Sequence, residues 1–80
     1  NDIMEDSRGD IWVNTVEGGT WRYRDDGVAY FTSANGLGCD FTYRLGEDAQ
    51  GRVWSTAGGL NRFEGDAFRK LVRRQVLILG

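Results

Sequence analysis

The acidic stretch EDSRGDIW at residues 5–12 returns as EDAQGRVW at residues 47–54, an offset of 42. A chain of 80 residues that spells an acid pair, a glycine and a tryptophan twice at fixed spacing builds one local unit twice. Self-similarity at a period near 40 residues constrains the fold more than any composition does.

At that offset Glu5 and Asp6 match Glu47 and Asp48, Gly9 matches Gly51, and Trp12 matches Trp54. Ile3/Leu45 and Ile11/Val53 agree in character. A two-residue deletion in the second copy then changes the offset to 40, pairing Gly18 and Gly19 with Gly58 and Gly59, Arg22 with Arg62 and Tyr23 with Phe63. A further two-residue shift aligns Gly27 with Gly65, Ala29 with Ala67 and Tyr30 with Phe68. Each copy divides into four short strands bounded by turn signals such as SRG, VEGG and DDG, then AQG, AGG and EG. The expected strands are 2–6, 10–15, 20–24 and 28–32, then 43–48, 52–56, 60–63 and 66–72. Strands joined by such tight turns form antiparallel meanders, and a four-stranded unit of this period is the size of a propeller blade. The expected architecture is all-β: blade-like repeats at about 1–32 and 42–72, a link at 33–41, and an apolar tail at 73–80.

Within each repeated turn, Asp6 and Asp48 are placed to accept backbone N–H bonds, and Gly9 and Gly51 to take positive φ. Trp12 and Trp54 then open the next strand and fill the gap between neighbouring blades. The pattern ED-xx-G-xx-W, then GG, R-aromatic, G-x-A-x-aromatic and the later NGL resembles the two-component regulator propeller repeat. That repeat builds the sensor domains of bacterial hybrid histidine kinases. The resemblance covers about residues 3–71, and WSTAGGLNRFEGDAF in the second copy is its closer half. The first copy departs at Gly18-Gly19-Thr20-Trp21, where the family favours leucine after the glycine pair, and at Asn14, where it favours glycine. SANGLGCDF at 33–41 resembles the family's inter-blade link, whereas VRRQVLILG follows the second copy. The resemblance implies a ligand-sensing module of a bacterial signal-transduction regulator, working on the periplasmic or extracellular side, with carbohydrate a common ligand.

The residues themselves point away from catalysis. Glu5/Asp6 and Glu47/Asp48 are adjacent on strands, so the members of each pair face opposite ways and do not combine as acid and base. DSRGD lacks the EF-hand order and its distant glutamate. It also carries one residue too many between aspartate and glycine for a sialidase-type Asp-box. Cys39 is the single cysteine and the chain has no histidine, so neither a Cys–His nucleophile nor a usual zinc set can be assembled. No metal, cofactor or enzyme activity is expected. Trp21 is the leading binding candidate, because its counterpart is Asn61 and the repeat does not require an aromatic there; in strand alternation it shares a face with Tyr23. Packing against a neighbouring blade is the other reading of Trp21. Arg22 and Arg62 read as cross-strand or inter-blade partners of acids.

The net charge is −2, with 12 acids and 6 arginines in residues 1–68 and only cations, Arg69, Lys70, Arg73 and Arg74, thereafter. Four cations without interleaved aromatics read as a solvated edge, so no nucleic-acid partner is expected. No apolar run approaches 18 residues, so direct membrane insertion is not expected. The chain starts at Asn1, which suggests a fragment or a processed product. Two blades leave two sheet faces uncovered, and repeat units of this type usually stack in threes or more. The expected partners are therefore further blades of a longer chain, or further copies of this one. Three copies would give six blades and four would give eight. The tail VLILG reads as an extra edge strand, an oligomer contact or unrelated sequence.

Overall fold

The computed structural model describes residues 2–15 and 18–72. The apolar tail, Arg73 and Arg74 lie outside them. Eight strands run in chain order: β1 (Asp2–Glu5), β2 (Ile11–Asn14), β3 (Thr20–Arg24), β4 (Gly27–Phe31), β5 (Leu45–Glu47), β6 (Val53–Thr56), β7 (Leu60–Phe63) and β8 (Phe68–Lys70). They form two four-stranded sheets in the orders β1-β2-β3-β4 and β5-β6-β7-β8, with every neighbouring pair antiparallel. The two meanders expected from the repeat are present.

The register tests the repeat pair by pair. Met4 faces Trp12 and Trp12 faces Arg22; Gly46 faces Trp54 and Trp54 faces Arg62. The two-residue deletion falls in the β2–β3 turn: Asn14 pairs with Thr20, and Thr56 with Leu60. The second expected shift is corrected. Tyr23 pairs with Val28 and Phe63 with Phe68, so Phe68 is the counterpart of Val28 rather than of Tyr30. The offset stays at 40 because both hairpins have two-residue loops, Asp25-Asp26 and Gly65-Asp66. Only the glycine has moved within the turn. Its left-handed φ is needed at the first loop position in one copy, and it follows the loop in the other.

The sheets pack face to face and converge at β1 and β5. Period-2 alternation sends Met4, Trp12, Phe31, Leu45, Val53, Phe63 and Phe68 into the shared core. Trp12, 1% exposed, is its centre. Its ring lies edge-on to Phe63 at 5.1 Å and to Phe68 at 5.9 Å, across the sheet boundary, and is stacked with Phe31 at 6.0 Å. Edge-to-face contacts of this kind add about 0.5–1.5 kcal/mol each beyond area burial.

The link between sheets forms a 3-10 turn at Ser33–Asn35, with Thr32 and Asn35 as a reciprocal capping box and Gly36 closing it at φ 97. Gly36 lies so close to the Phe68 carbonyl that a Cβ there would sit 1.6 Å from its oxygen. Leu37 then enters the core. Farther along, Gly38 crosses over Ala57 and Gly58, and the Asp40 carbonyl accepts the Gly19 N–H at 2.7 Å. The link thus crosses both glycine-pair turns, and bare backbone there permits the approach.

Candidate functional site

The repeated acidic turn is a positioning device. The Asp6 Oδ1 accepts the backbone N–H groups of Arg8 (2.9 Å) and Asp10 (3.0 Å), while Oδ2 accepts the Trp12 indole N–H at 2.8 Å. Asp48 repeats this with Gln50 (3.0 Å), Arg52 (2.9 Å) and the Trp54 indole N–H (2.9 Å). Gly9 and Gly51 have φ of 88° and 78°, as the turn demands. Burial alone would raise the Asp48 carboxyl; the N–H donors and the Arg52 guanidinium outweigh it and hold the group at about 2. Asp6 is lowered in the same way, against the opposing effect of burial, by Trp12 and the turn amides. Each aspartate therefore fixes the indole that begins the next strand.

Arg22 corrects one expectation. No carboxylate lies within ion-pair distance of it among the described residues. Instead its guanidinium carbon lies 5.6–5.8 Å from the Trp12, Phe31 and Phe63 ring centres. Its Nε is buried without a hydrogen-bond partner, and ring faces supply the favourable field. Desolvation, and next the charge of Arg24, lower its pKa. Arg62 repeats the stacking on Trp54 at 5.6 Å and pairs at 2.9 Å with Glu64, an acid two residues ahead in the chain rather than one across the sheet or on the other blade.

Between the sheets runs a polar seam. Asn14, Thr20 and Ser55, each 0% exposed, bond to one another: Thr20 Oγ1 donates to Asn14 Oδ1 at 2.6 Å and Asn14 Nδ2 donates to Ser55 Oγ at 3.0 Å. Asn61 accepts the Gly38 N–H at 3.0 Å and donates to the Ala57 carbonyl at 3.0 Å, fastening the link to the second sheet. At the opposite end, Ser7 donates through N–H and Oγ to Glu47, and Arg8 donates to the Gly51 carbonyl. Glu5 and Asp6 do part company, Glu5 exposed and Asp6 buried.

Two surfaces remain as candidate sites. On the open face of the first sheet, Trp21 packs on Tyr30 with ring centres 4.1 Å apart and on Tyr23 at 6.5 Å. The sequence placed Trp21 and Tyr23 together; Tyr30 completes the cluster through the cross-strand pair Trp21–Tyr30, which the mis-set alignment of Tyr30 with Phe68 concealed. Tyr23 is 43% and Tyr30 45% exposed, and ring faces with phenolic edges suit a sugar or another flat, partly apolar ligand. The second candidate is a cleft of about 150 Å³ at the acidic-turn end, lined by Asp10, Arg24, Arg52 and Phe63 among others. Its cations are already matched, Arg24 to Asp10 and Arg52 to Asp48, each at 2.8 Å. Among the described residues no group of three or more His, Cys, Asp or Glu is placed to hold a metal ion, and no helix is long and apolar enough to cross a membrane. Cys39 is a free thiol that donates to the Phe41 carbonyl at 3.3 Å.

No family model matches the chain, and no curated protein matches it. Sequence reasoning missed Asn14, Ser55 and Thr20 as a buried seam. The available signal was the alternation of β2 and β6, which puts Asn14 two residues from Trp12 and Ser55 two residues from Val53 on the inward face; Thr20 then follows as the cross-strand partner of Asn14. The counterpart of Trp21, Asn61, is buried as a clasp for the link.

Proposed function

We propose that the chain is a non-enzymatic binding module, a two-blade segment of a ligand-sensing propeller related to the regulator repeat that its motifs resemble. The observation that carries this reading is the Trp21–Tyr23–Tyr30 cluster. Trp21 and Tyr30 replace Asn61 and Lys70 of the second copy, so these aromatics exceed what the repeat needs for folding. A neutral oligosaccharide is the ligand class that the rings and the resemblance favour together. Titrating neutral oligosaccharides while following the Trp21 indole N–H resonance tests it. A saturable shift of Trp21, lost in Tyr30→Ala with the Trp12 resonance unmoved, supports the reading; unchanged Trp21 across the panel contradicts it.

A second reading, a self-assembling propeller unit of three or four copies, is favoured by a different observation. The Trp54–Arg62 stack on the open face of the second sheet repeats the Trp12–Arg22 stack of the covered one.

A further inference from the structure

Among the described residues the register defines four sheet faces, two covered and two open. The covered face of the second sheet presents Leu45, Val53, Phe63 and Phe68 to Trp12 and its neighbours. Their register counterparts are Ile3, Ile11, Tyr23 and Val28, which together form the open face of the first sheet. Three of these are well exposed: Ile3 at 70%, Tyr23 at 43% and Val28 at 57%. The other open face, on the second sheet, carries Trp54 and Arg62, counterparts of the covered Trp12 and Arg22. One open face therefore has the character of what Trp12 accepts, and the other has the character of Trp12 itself.

We propose that two copies of this chain associate head to tail, the Trp54 face of one receiving the Tyr23–Val28 face of the next. The contact continues the interface already present inside the chain. Trp54 meets Tyr23 and Val28 as Trp12 meets Phe63 and Phe68, and Arg62 covers Tyr23 as Arg22 covers Phe63. Trp54 needs no rearrangement, because Asp48 holds its indole N–H at 2.9 Å as Asp6 holds that of Trp12 at 2.8 Å. Glu5 is placed to accept the Ala49 N–H of the neighbouring copy as Glu47 accepts the Ser7 N–H within the chain. Such an interface is heterologous: each copy uses one face as donor and the other as acceptor, so it propagates to a ring or a chain of copies. Asn61, counterpart of Trp21, is engaged by the link and its own sheet, so Trp21 and Tyr30 sit outside the main contact. The inference rests on the self-assembling reading, and it places Tyr23 of the aromatic cluster in the contact between copies.

The test is light scattering on three samples at equal concentration: the unaltered chain, Trp54→Glu, and Tyr23→Glu. Val28→Lys stands in for Tyr23→Glu if that variant loses its β-sheet circular dichroism. The unaltered chain is expected to run at twice the monomer mass or more, and each variant alone as a monomer. Mixed one to one, the variants should give a complex of twice the monomer mass and no larger, since each supplies the face that the other lacks. A monomeric unaltered chain overturns self-assembly altogether. An oligomer that both variants preserve leaves self-assembly standing and refutes this interface. Trp54→Glu dimerising alone would show the first-sheet face pairing with itself, and would equally refute the head-to-tail arrangement.

Discussion

Asp6 accepts three N–H groups while its side chain is 1% exposed, so its removal strands buried donors rather than merely deleting a surface charge. Asp6→Ala is expected to cost ~3 kcal/mol in urea unfolding, because unsatisfied buried donors are expensive and bonds to charged acceptors are stronger than average. The same carboxylates set a pH dependence. Both native-state pKa values lie below the ordinary carboxylate range, that of Asp48 at about 2. A depressed carboxylate contributes stability that is full above its unfolded pKa and lost as pH falls through the folded one. Unfolding midpoints should therefore hold steady above pH ~4 and fall between roughly pH 4 and pH 2. Asp48→Asn should flatten that fall, since no proton is taken up at that site. A slope unchanged by Asp48→Asn would place the titrating groups elsewhere. The chemistry of these aspartates as turn acceptors was legible in the sequence, because Asp and Gly at this spacing have a local preference. Their hold on the indoles six residues ahead was not, because it depends on how the strand leaves the turn.

At the scale of the elements, strand existence and order could be read from alternation and glycine punctuation, and the observed bounds fall within about three residues of the expected ones. The β3–β4 hairpin shows where such reading fails. Matching glycine to glycine implied a shift, but the ladder keeps its register when a glycine moves within a turn of fixed length. Arg22 shows another failure: charge suggests an acid partner, and only packing reveals three aromatic rings instead. The link offers a clean contrast between conformation and crowding. Gly36 and Gly65 have nearly equal φ, 97° and 98°, but a Cβ at Gly36 meets the Phe68 carbonyl and one at Gly65 meets nothing within 4 Å. Gly65→Ala should cost only about 1–2 kcal/mol, the left-handed penalty. Gly36→Ala should cost clearly more, since the link must lift from β8 and take Leu37 out of the core. Thermal unfolding of the two variants side by side checks this, and equal losses would mean that the link does not rest on Phe68.

For the whole molecule, what matters is that its two sheets are equivalent and that, among the described residues, one face of each is covered. The repeat in the sequence implied the equivalence, and the two tryptophans implied a packed gap. Which tryptophan is covered could not be read, because Trp12 and Trp54 stand in matching local sequence. Trp12 is the central contact between the sheets. Trp12→Ala should therefore lower stability by about 3–5 kcal/mol, the usual loss for emptying such a site. The most direct measurement is a set of nuclear Overhauser contacts from the Trp12 indole ring in uniformly labelled protein. Strong cross-peaks are expected to the rings of Phe63 and Phe68, more than fifty positions away in sequence. A Trp12 ring whose contacts stayed within residues 2–31 would contradict this, and would leave the two meanders as separate sheets.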